Sequence, residues 1–299
     1  MSDIDPEDMA RALEESGAYR ILRRIGAAPD GVAGPLAPGP GARLAIFLDL
    51  ETTGLDPRRD EVIEIAMAPF LYDGDGRILK VGAPFQALRQ PAQPVPAEIT
   101  AITGITDDLV RGRSLDLQAV ADFIGPAAVI IAHNAAFDRA FAERLHPAFA
   151  DKPWACSMCQ IDWRAEGLDG RKLDYLAFRM GFFYDGHRAA NDCLAAVELL
   201  GQPLPLSGDL ALMKLLEAAR RRSVQIYAEN APFELKDVLK GRGYRWNGEA
   251  NGRPRAWWTE VDEAQVDAEM AFLEAEIYHG AGEAIARRLT ALERFSDRG

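Results

Sequence analysis

The chain has 299 residues, 48% of them hydrophobic and 27% charged, with a formal net charge of −12. That is the mix of an ordinary globular protein with enough apolar material for a core, while its longest apolar runs, at 44–50 and 127–132, are far too short to span a bilayer. Three cysteines do not make a disulfide scaffold, and an acidic start without an apolar stretch does not read as a signal peptide, so a cytoplasmic protein with no membrane contact is expected.

In chain order, Asp5-Pro6-Glu7-Asp8 supplies an N-cap, a proline for the first helical position and acids for the first turn. Met9, Leu13, Leu22 and Ile25 then predict one apolar helical face over 6–25, with a break expected near Gly17. Residues 26–43 are rich in Gly, Pro and Ala and read as a linker. Strands are expected at 44–50, 62–72 and 78–88, with Asp73-Gly74-Asp75-Gly76 as a hairpin turn between the last two. A short helix at 97–102, a helix at 115–124, a strand at 127–132 and helices at 135–145, 173–180 and 189–200 complete a unit that ends near Pro205. The order predicts an α/β fold, a mixed five-stranded sheet flanked by helices. A helix at 210–222 then leads into a β-α-β-β-α pattern at 224–228, 232–240, 244–246, 256–261 and 263–278, with Asn251-Gly252 as a hairpin signal. The expected organisation is an N-terminal helix (1–25), a linker (26–43), a main α/β domain (44–205) and a small α+β module with a helical tail (206–299).

Three segments carry candidate chemistry. Asp49 and Glu51 end a buried strand just before a Thr52-Thr53-Gly54 turn. Residues two apart on a strand face the same side, and two carboxylates held so close call for a cation, with hard oxygen ligands suited to Mg²⁺ or Mn²⁺. His133-Asn134-Ala135-Ala136-Phe137-Asp138 runs from a strand into a helix whose first turn bears Asp138. His187 lies in a loop, five residues ahead of Asp192, which is set among small apolar residues of a helix that must pack on the sheet. Taken singly, each has a plain explanation: acids on a turn, a first-turn acid that complements the helix dipole, a surface histidine.

Together, in this order and spacing, they resemble the DnaQ-like, or DEDD, exonuclease superfamily in its histidine-containing DEDDh branch, over roughly residues 44–200. The 99–106 stretch, ITAITGIT, resembles the family's segment ahead of the second motif. The resemblance implies a ribonuclease H-like fold and 3′→5′ exonuclease activity that releases nucleoside 5′-monophosphates. It also implies two divalent metal ions, one on Asp49, Glu51 and Asp192 and one on Asp49 and Asp138, with His187 as general base. Glu51, Thr52 and Thr53 would lie nearest the terminal 3′-hydroxyl, and His133, Asn134 and Phe137 near the terminal bases. DNA in proofreading or repair is the expected substrate, taken as a single-stranded 3′ end, with a DNA polymerase or another replication or repair protein as partner. The alternatives are trimming of RNA 3′ ends, or a polymerase-associated nucleic-acid-binding module with little activity.

The net charge of −12 argues against a polyanionic ligand when taken as an average, yet residues 214–258 hold ten basic and five acidic side chains. Within them, Arg242, Arg245, Trp246, Arg255 and Trp258 mix cations and aromatics as single-strand binders do, although tryptophans in a small hairpin module also serve as core. The Leu239-Lys240-Gly241-Arg242-Gly243-Tyr244-Arg245-Trp246 run resembles an accessory module attached to some bacterial DnaQ-like exonucleases. Cys156-x-x-Cys159 lacks a second ligand pair and reads as an ordinary, partly buried pair rather than a zinc site.

Overall fold

The computed structural model describes residues 5–26, 29, 34, 36–248, 253–280, 282 and 284–296. Much of the Gly/Pro-rich linker and the Asn251-Gly252 hairpin signal therefore lie outside the described residues. Helix α1, Pro6–Glu15, opens on the Asp5 side chain, which accepts from the Glu7 amide at 3.0 Å. It stops well short of residue 25, because Gly17 turns left-handed at φ 72° and the chain leaves the helix. Met9 and Leu13 stay exposed; polar contacts hold the segment instead, with Arg23 donating to Glu7 at 2.8 Å and Arg20 to the Phe178 carbonyl at 3.0 Å. The chain then forms a short strand, β1 (Arg23–Arg24).

The main sheet begins with β2 (Arg43–Thr52) and β3 (Val62–Tyr72), paired antiparallel. The third strand expected at 78–88 is two strands, β4 (Ile78–Val81) and β5 (Phe85–Leu88), each antiparallel to a different part of β3. Pro84, between them, has no amide to give to a ladder. Helices α2 (Ala97–Thr103), α3 (Asp107–Val110) and α4 (Leu117–Ile124) lead to β6 (Val129–Ala132), parallel to β2. Helix α5 (Ala135–Leu145) crosses to β7 (Trp154–Cys156), parallel to β6. The sheet thus runs β4-β3-β2-β6-β7 with β5 also on β3, six strands rather than five because the third one divides.

Helix α6 (Leu173–Met180), β8 (Phe182–Phe183, parallel to β1) and α7 (Ala189–Gly201) come next. Alternation along β2 sorts the two faces of the sheet. Ala45 and Phe47 join the core with α6 and α7, whereas Ile46, Leu48 and Leu50 join the core with α4 and α5. Asp49 and Glu51 are in phase with Phe47, on the α7 side, and Leu50 is on the other. The α7 face is made of small residues, Ala189, Cys193, Ala195 and Ala196, all fully buried. They let its backbone approach so closely that the Cys193 Sγ lies 3.5 Å from the carbonyls of Phe47 and Ala66. That approach brings a short side chain on α7 within reach of the end of β2.

Helix α8 (Ala211–Arg220) places Leu212, Leu215, Leu216 and Ala219 in the same core as α7. After it, β9 (Ser223–Ala228), α9 (Lys236–Gly241), β10 (Arg245–Trp246), β11 (Trp257–Asp262), α10 (Val266–Phe272, prolonged in wider turns to Tyr278) and β12 (Ala284–Leu289) form an antiparallel sheet in the order β10-β11-β9-β12. The helical tail expected at the end of the module is instead the strand β12 followed by turns, because 284–289 pairs along β9. One face of this sheet, with Val224, Ile226 and Trp257, packs on α9 and α10. The last described residues return to the main sheet: the Trp154 amide donates to the Ala291 carbonyl at 2.8 Å, and the fully buried Arg139 donates to the Leu292 and Arg294 carbonyls at 2.6 and 2.8 Å. Among the described residues no helix is long and apolar enough to cross a membrane.

Candidate active site

Strand β2 delivers Asp49 and Glu51 to one side of its C-terminal end. The register with β3 slips between Glu51 and Thr52, and the chain then turns through Thr52-Thr53-Gly54. Asp60 pins that turn, accepting from the Asp56 amide at 2.8 Å and lying 3.4 Å from the Thr53 hydroxyl. A Cβ on Gly54 would sit 2.5 Å from the Asp60 carboxylate, so a side chain there would have to displace the group that pins the turn. Thr52 is buried and its hydroxyl donates to the Gly54 carbonyl at 2.6 Å. The N-terminus of α7 brings in Asp192, and Asp49, Glu51 and Asp192 each offer a carboxylate oxygen within 4.8 Å of the others.

This crowding has an electrostatic consequence. Burial first, then Asp138 and Asp192, push the Asp49 carboxyl well above the usual range. Glu51 is pushed to about 7 by burial, then by Asp192 and Glu64. Burial also raises Asp192, against the Tyr184 hydroxyl and the Arg188 amide, each of which donates to it at 3.1 Å. Carboxylates gathered at such cost to their charged forms are a ligand set for a divalent cation. Asp138, 3% exposed in the first turn of α5, lies outside the trio's 4.8 Å. Its helix packs on the face of the sheet opposite α7. It still acts on Asp49 electrostatically, and burial raises its own pKa.

His187 is exposed, beside Asp192, and holds the left-handed backbone region at φ 63°. Its neighbours fix the loop. The Arg188 guanidinium donates to Glu64 at 3.1 Å, and Asn191 donates to the Asp185 carbonyl at 2.8 Å. Glu64 is a site residue that the sequence reading missed. It stands directly across from Glu51 on β3, is fully buried, and accepts from Gln86 at 2.6 Å, from Arg188, and from the Ala189 amide at 3.3 Å. It therefore ties the start of α7, and with it His187 and Asp192, to the strand beside β2. The available signal was a lone acid inside the apolar run Val62-Ile63-Glu64-Ile65-Ala66. Tyr184, whose hydroxyl orients Asp192, was missed as well.

The remaining expected residues are dispersed around this cluster. His133 engages both ring nitrogens, Nδ1 with the Ser157 hydroxyl at 2.9 Å and Nε2 with the Arg171 carbonyl at 2.7 Å, and burial lowers its pKa. It braces the Arg171 segment. Asn134 is exposed at the start of α5, and Phe137 packs on Phe141 with ring centroids 4.9 Å apart. In the C-terminal sheet, Arg242 is tied inward, paired with Glu269 at 3.0 Å and lying over Phe272 at 4.0 Å. Trp246 packs on Trp257 yet is 54% exposed, and Arg255 is exposed. Arg245 lies over Trp258 at 4.5 Å, and these two occupy the face that α9 and α10 leave uncovered. Cys156 is buried and drawn down to about 6, chiefly by a hydrogen bond from the exposed Cys159. Among the described residues the two cysteines gather no further metal ligand.

Comparisons with known proteins bear on the family and the fold. The RNase T exonuclease family model matches residues 46–200, just over half of the chain. A PolC-type DNA polymerase III of Thermotoga petrophila is 25% identical over 212 residues, which cover 66% of this chain but 14% of that protein. The DNA polymerase III subunit epsilon of Treponema pallidum is 31% identical over 160 residues, 50% of this chain and 72% of its own length. The chain thus spans only a small part of the PolC-type relatives it matches. Among solved structures, the zinc-bound E. coli ExoI–ssDNA complex shares the fold with a TM-score of 0.51 at 16% identity, over 74% of this chain and 63% of that one. With its matched segment, its mixed helix-flanked sheet and its acidic cluster at the end of β2, the chain belongs to the exonuclease family, as a DnaQ-like member.

Proposed function

We propose that this protein is a 3′→5′ exonuclease that hydrolyses phosphodiester bonds at DNA 3′ ends and releases nucleoside 5′-monophosphates. The observation that carries the reading is the meeting of Asp49, Glu51 and Asp192 within 4.8 Å, with the buried Asp138 near enough to raise Asp49 electrostatically. The donor set is all carboxylate, which fits Mg²⁺ or Mn²⁺. Asp49, Glu51 and Asp192 would hold one ion and Asp49 with Asp138 a second. Such a pair stabilises the charge on the attacking and leaving oxygens at phosphorus.

The other roles belong to the chain's own groups. His187, exposed beside Asp192, takes the proton from the attacking water. Its tether through Arg188 to Glu64 keeps it in place. Tyr184 and the Arg188 amide hold Asp192 to one rotamer. The backbone of Thr52 and Thr53, fixed by Asp60, lies beside the terminal sugar, and Asn134 and Phe137 border the last bases. Residues 44–205 form the nuclease unit and 206–299 an accessory module. DNA, rather than RNA, is favoured because the relatives are DNA polymerase III proteins. For the same reason a replicative or repair polymerase is the favoured partner. A Mn²⁺-dependent digest of matched DNA and RNA oligonucleotides, single- and double-stranded, tests the reading. Shortening of DNA from the 3′ end supports it, and no nuclease activity on any of the four refutes it.

A further inference from the structure

We infer that the groove between the main sheet's strand ends and the C-terminal sheet holds the single-stranded DNA segment upstream of the 3′-terminal nucleotides, an inference that rests on the exonuclease reading. Strands β2, β6 and β7 are parallel neighbours, so their C-terminal ends line one edge. That edge carries Glu51, then His133 and Asn134, then the turn from Cys156 to Gln160. In open α/β sheets ligands bind in the crevice along this edge. At the β6 and β7 end of this edge lies a cavity of about 650 Å³ bounded by Asn134, Cys156 and Trp258.

The chemistry of its walls matches a single strand. Arg171 stands on the nuclease side, Arg221 and Arg222 at the end of α8, and Arg245 on the C-terminal sheet. All four are exposed and, among the described residues, none is in an ion pair. The acids on the same walls are Glu260 and Asp262. Glu260 is offset by Arg294 at 3.3 Å, and Asp262 caps the turn after it. A chain with net charge −12 that concentrates unpaired guanidinium groups here is arranged for a polyanion. Trp258, stacked on Tyr227, carries the Arg245 guanidinium over its ring at 4.5 Å and so holds that cation at the wall. The walls are also held together, because Arg139, next to Asp138, is bonded to the carbonyls of the C-terminal segment. Two strand spacings separate β2 from β7, about 10 Å, or roughly three stacked nucleotides. The groove therefore begins roughly three nucleotides upstream of the scissile bond.

The test uses the full chain and 5′-fluorescein oligo-dT of increasing length, with binding read by anisotropy in EDTA at about 50 and about 200 mM salt. For the wild type, affinity rises with length beyond about three nucleotides. In the triple variant Arg221→Ala, Arg222→Ala, Arg245→Ala the gain with length disappears. Its salt slope falls by about 2, so across the fourfold salt range the wild type loses roughly twentyfold more affinity than the variant. A folded triple variant that keeps the slope and the length dependence overturns the groove. If the triple variant does not fold, Arg171→Glu on the opposite wall serves instead, with a slope lowered by about 0.7 expected and an unchanged slope refuting. Loss of binding in the variants without any 3′→5′ digestion by the wild type would refute the exonuclease reading and leave the groove standing. Digestion with unaltered binding in the variants would refute the groove alone.

Discussion

Replacing Glu51 with Gln should stabilise the metal-free protein at alkaline pH. The Glu51 carboxyl moves from 4.5 in the unfolded chain to about 7 in the fold, chiefly through burial and then Asp192 and Glu64. A group whose folded pKa is raised in this way binds its proton more tightly in the native state, so between about pH 4.5 and 7 the unfolded state carries fewer protons and stability falls as pH rises. At about 1.4 kcal/mol per unit, the full loss is on the order of 3 kcal/mol above pH 7. Asp49 and Asp192 are raised as well and steepen the same slope. Glu51→Gln removes this charge and eases its neighbours. By thermal unfolding in EDTA at about pH 8, the variant should melt higher than wild type, by roughly 5–10 °C, and the difference should vanish near pH 4.5. Adding Mn²⁺ should raise the wild-type melting temperature and leave the variant nearly unmoved, since a ligand stabilises only the state that binds it. A variant that melts lower than wild type at pH 8, or that keeps the wild-type pH slope, would show that the carboxylates do not repel one another in this way.

The site and its supports give three further expectations. Glu64→Gln weakens the tether to Arg188 and the start of α7, so activity should drop about 10–100-fold with the fold retained; wild-type kinetics in that variant would remove Glu64 from any supporting role. His187→Ala should lower the rate about 10²–10⁴-fold while the Mn²⁺-induced rise in melting temperature persists, and an unchanged rate would end the general-base assignment. Arg139→Ala takes the guanidinium from the buried Glu143, which keeps the Ser296 hydroxyl at 2.7 Å, and frees the carbonyls of the C-terminal segment, which should cost about 3–5 kcal/mol in urea unfolding. A loss below about 1 kcal/mol would mean that this segment is not what fastens the second sheet to α5.

The parts of the fold legible in the sequence are those that local pattern determines. The apolar run into Asp49 reads as a buried strand, and the Ala135-to-Leu145 and Ala189-to-Leu200 stretches read as helices within a residue of their bounds. The departures arise where long-range contacts decide. Pro84 splits a run whose composition otherwise favours one continuous strand. Beyond Gly17, a chain with helical spacing finds an edge partner in Phe182 and Phe183 instead. β12 carries Arg287 and Arg288 on an otherwise apolar strand, and its pairing with β9 lies some sixty residues away in sequence. Within the site, residue type and spacing were enough to single out Asp49, Glu51 and Asp192. Glu64 was not found, because Gln86 and Arg188, which explain it, lie 22 and 124 residues distant. Arg139 likewise looks like an ordinary helix-surface arginine until the C-terminal segment closes over it.

The most direct test of the central claim is the release of nucleoside 5′-monophosphates from a 5′-labelled single-stranded DNA in Mn²⁺, wild type against Asp49→Ala. Expected for the wild type is a ladder of labelled products shortening from the 3′ end, which chelation abolishes, and for the folded variant an intact oligonucleotide. A ladder of the same strength from the purified Asp49→Ala protein, or labelled products shortened from the 5′ end, would contradict it.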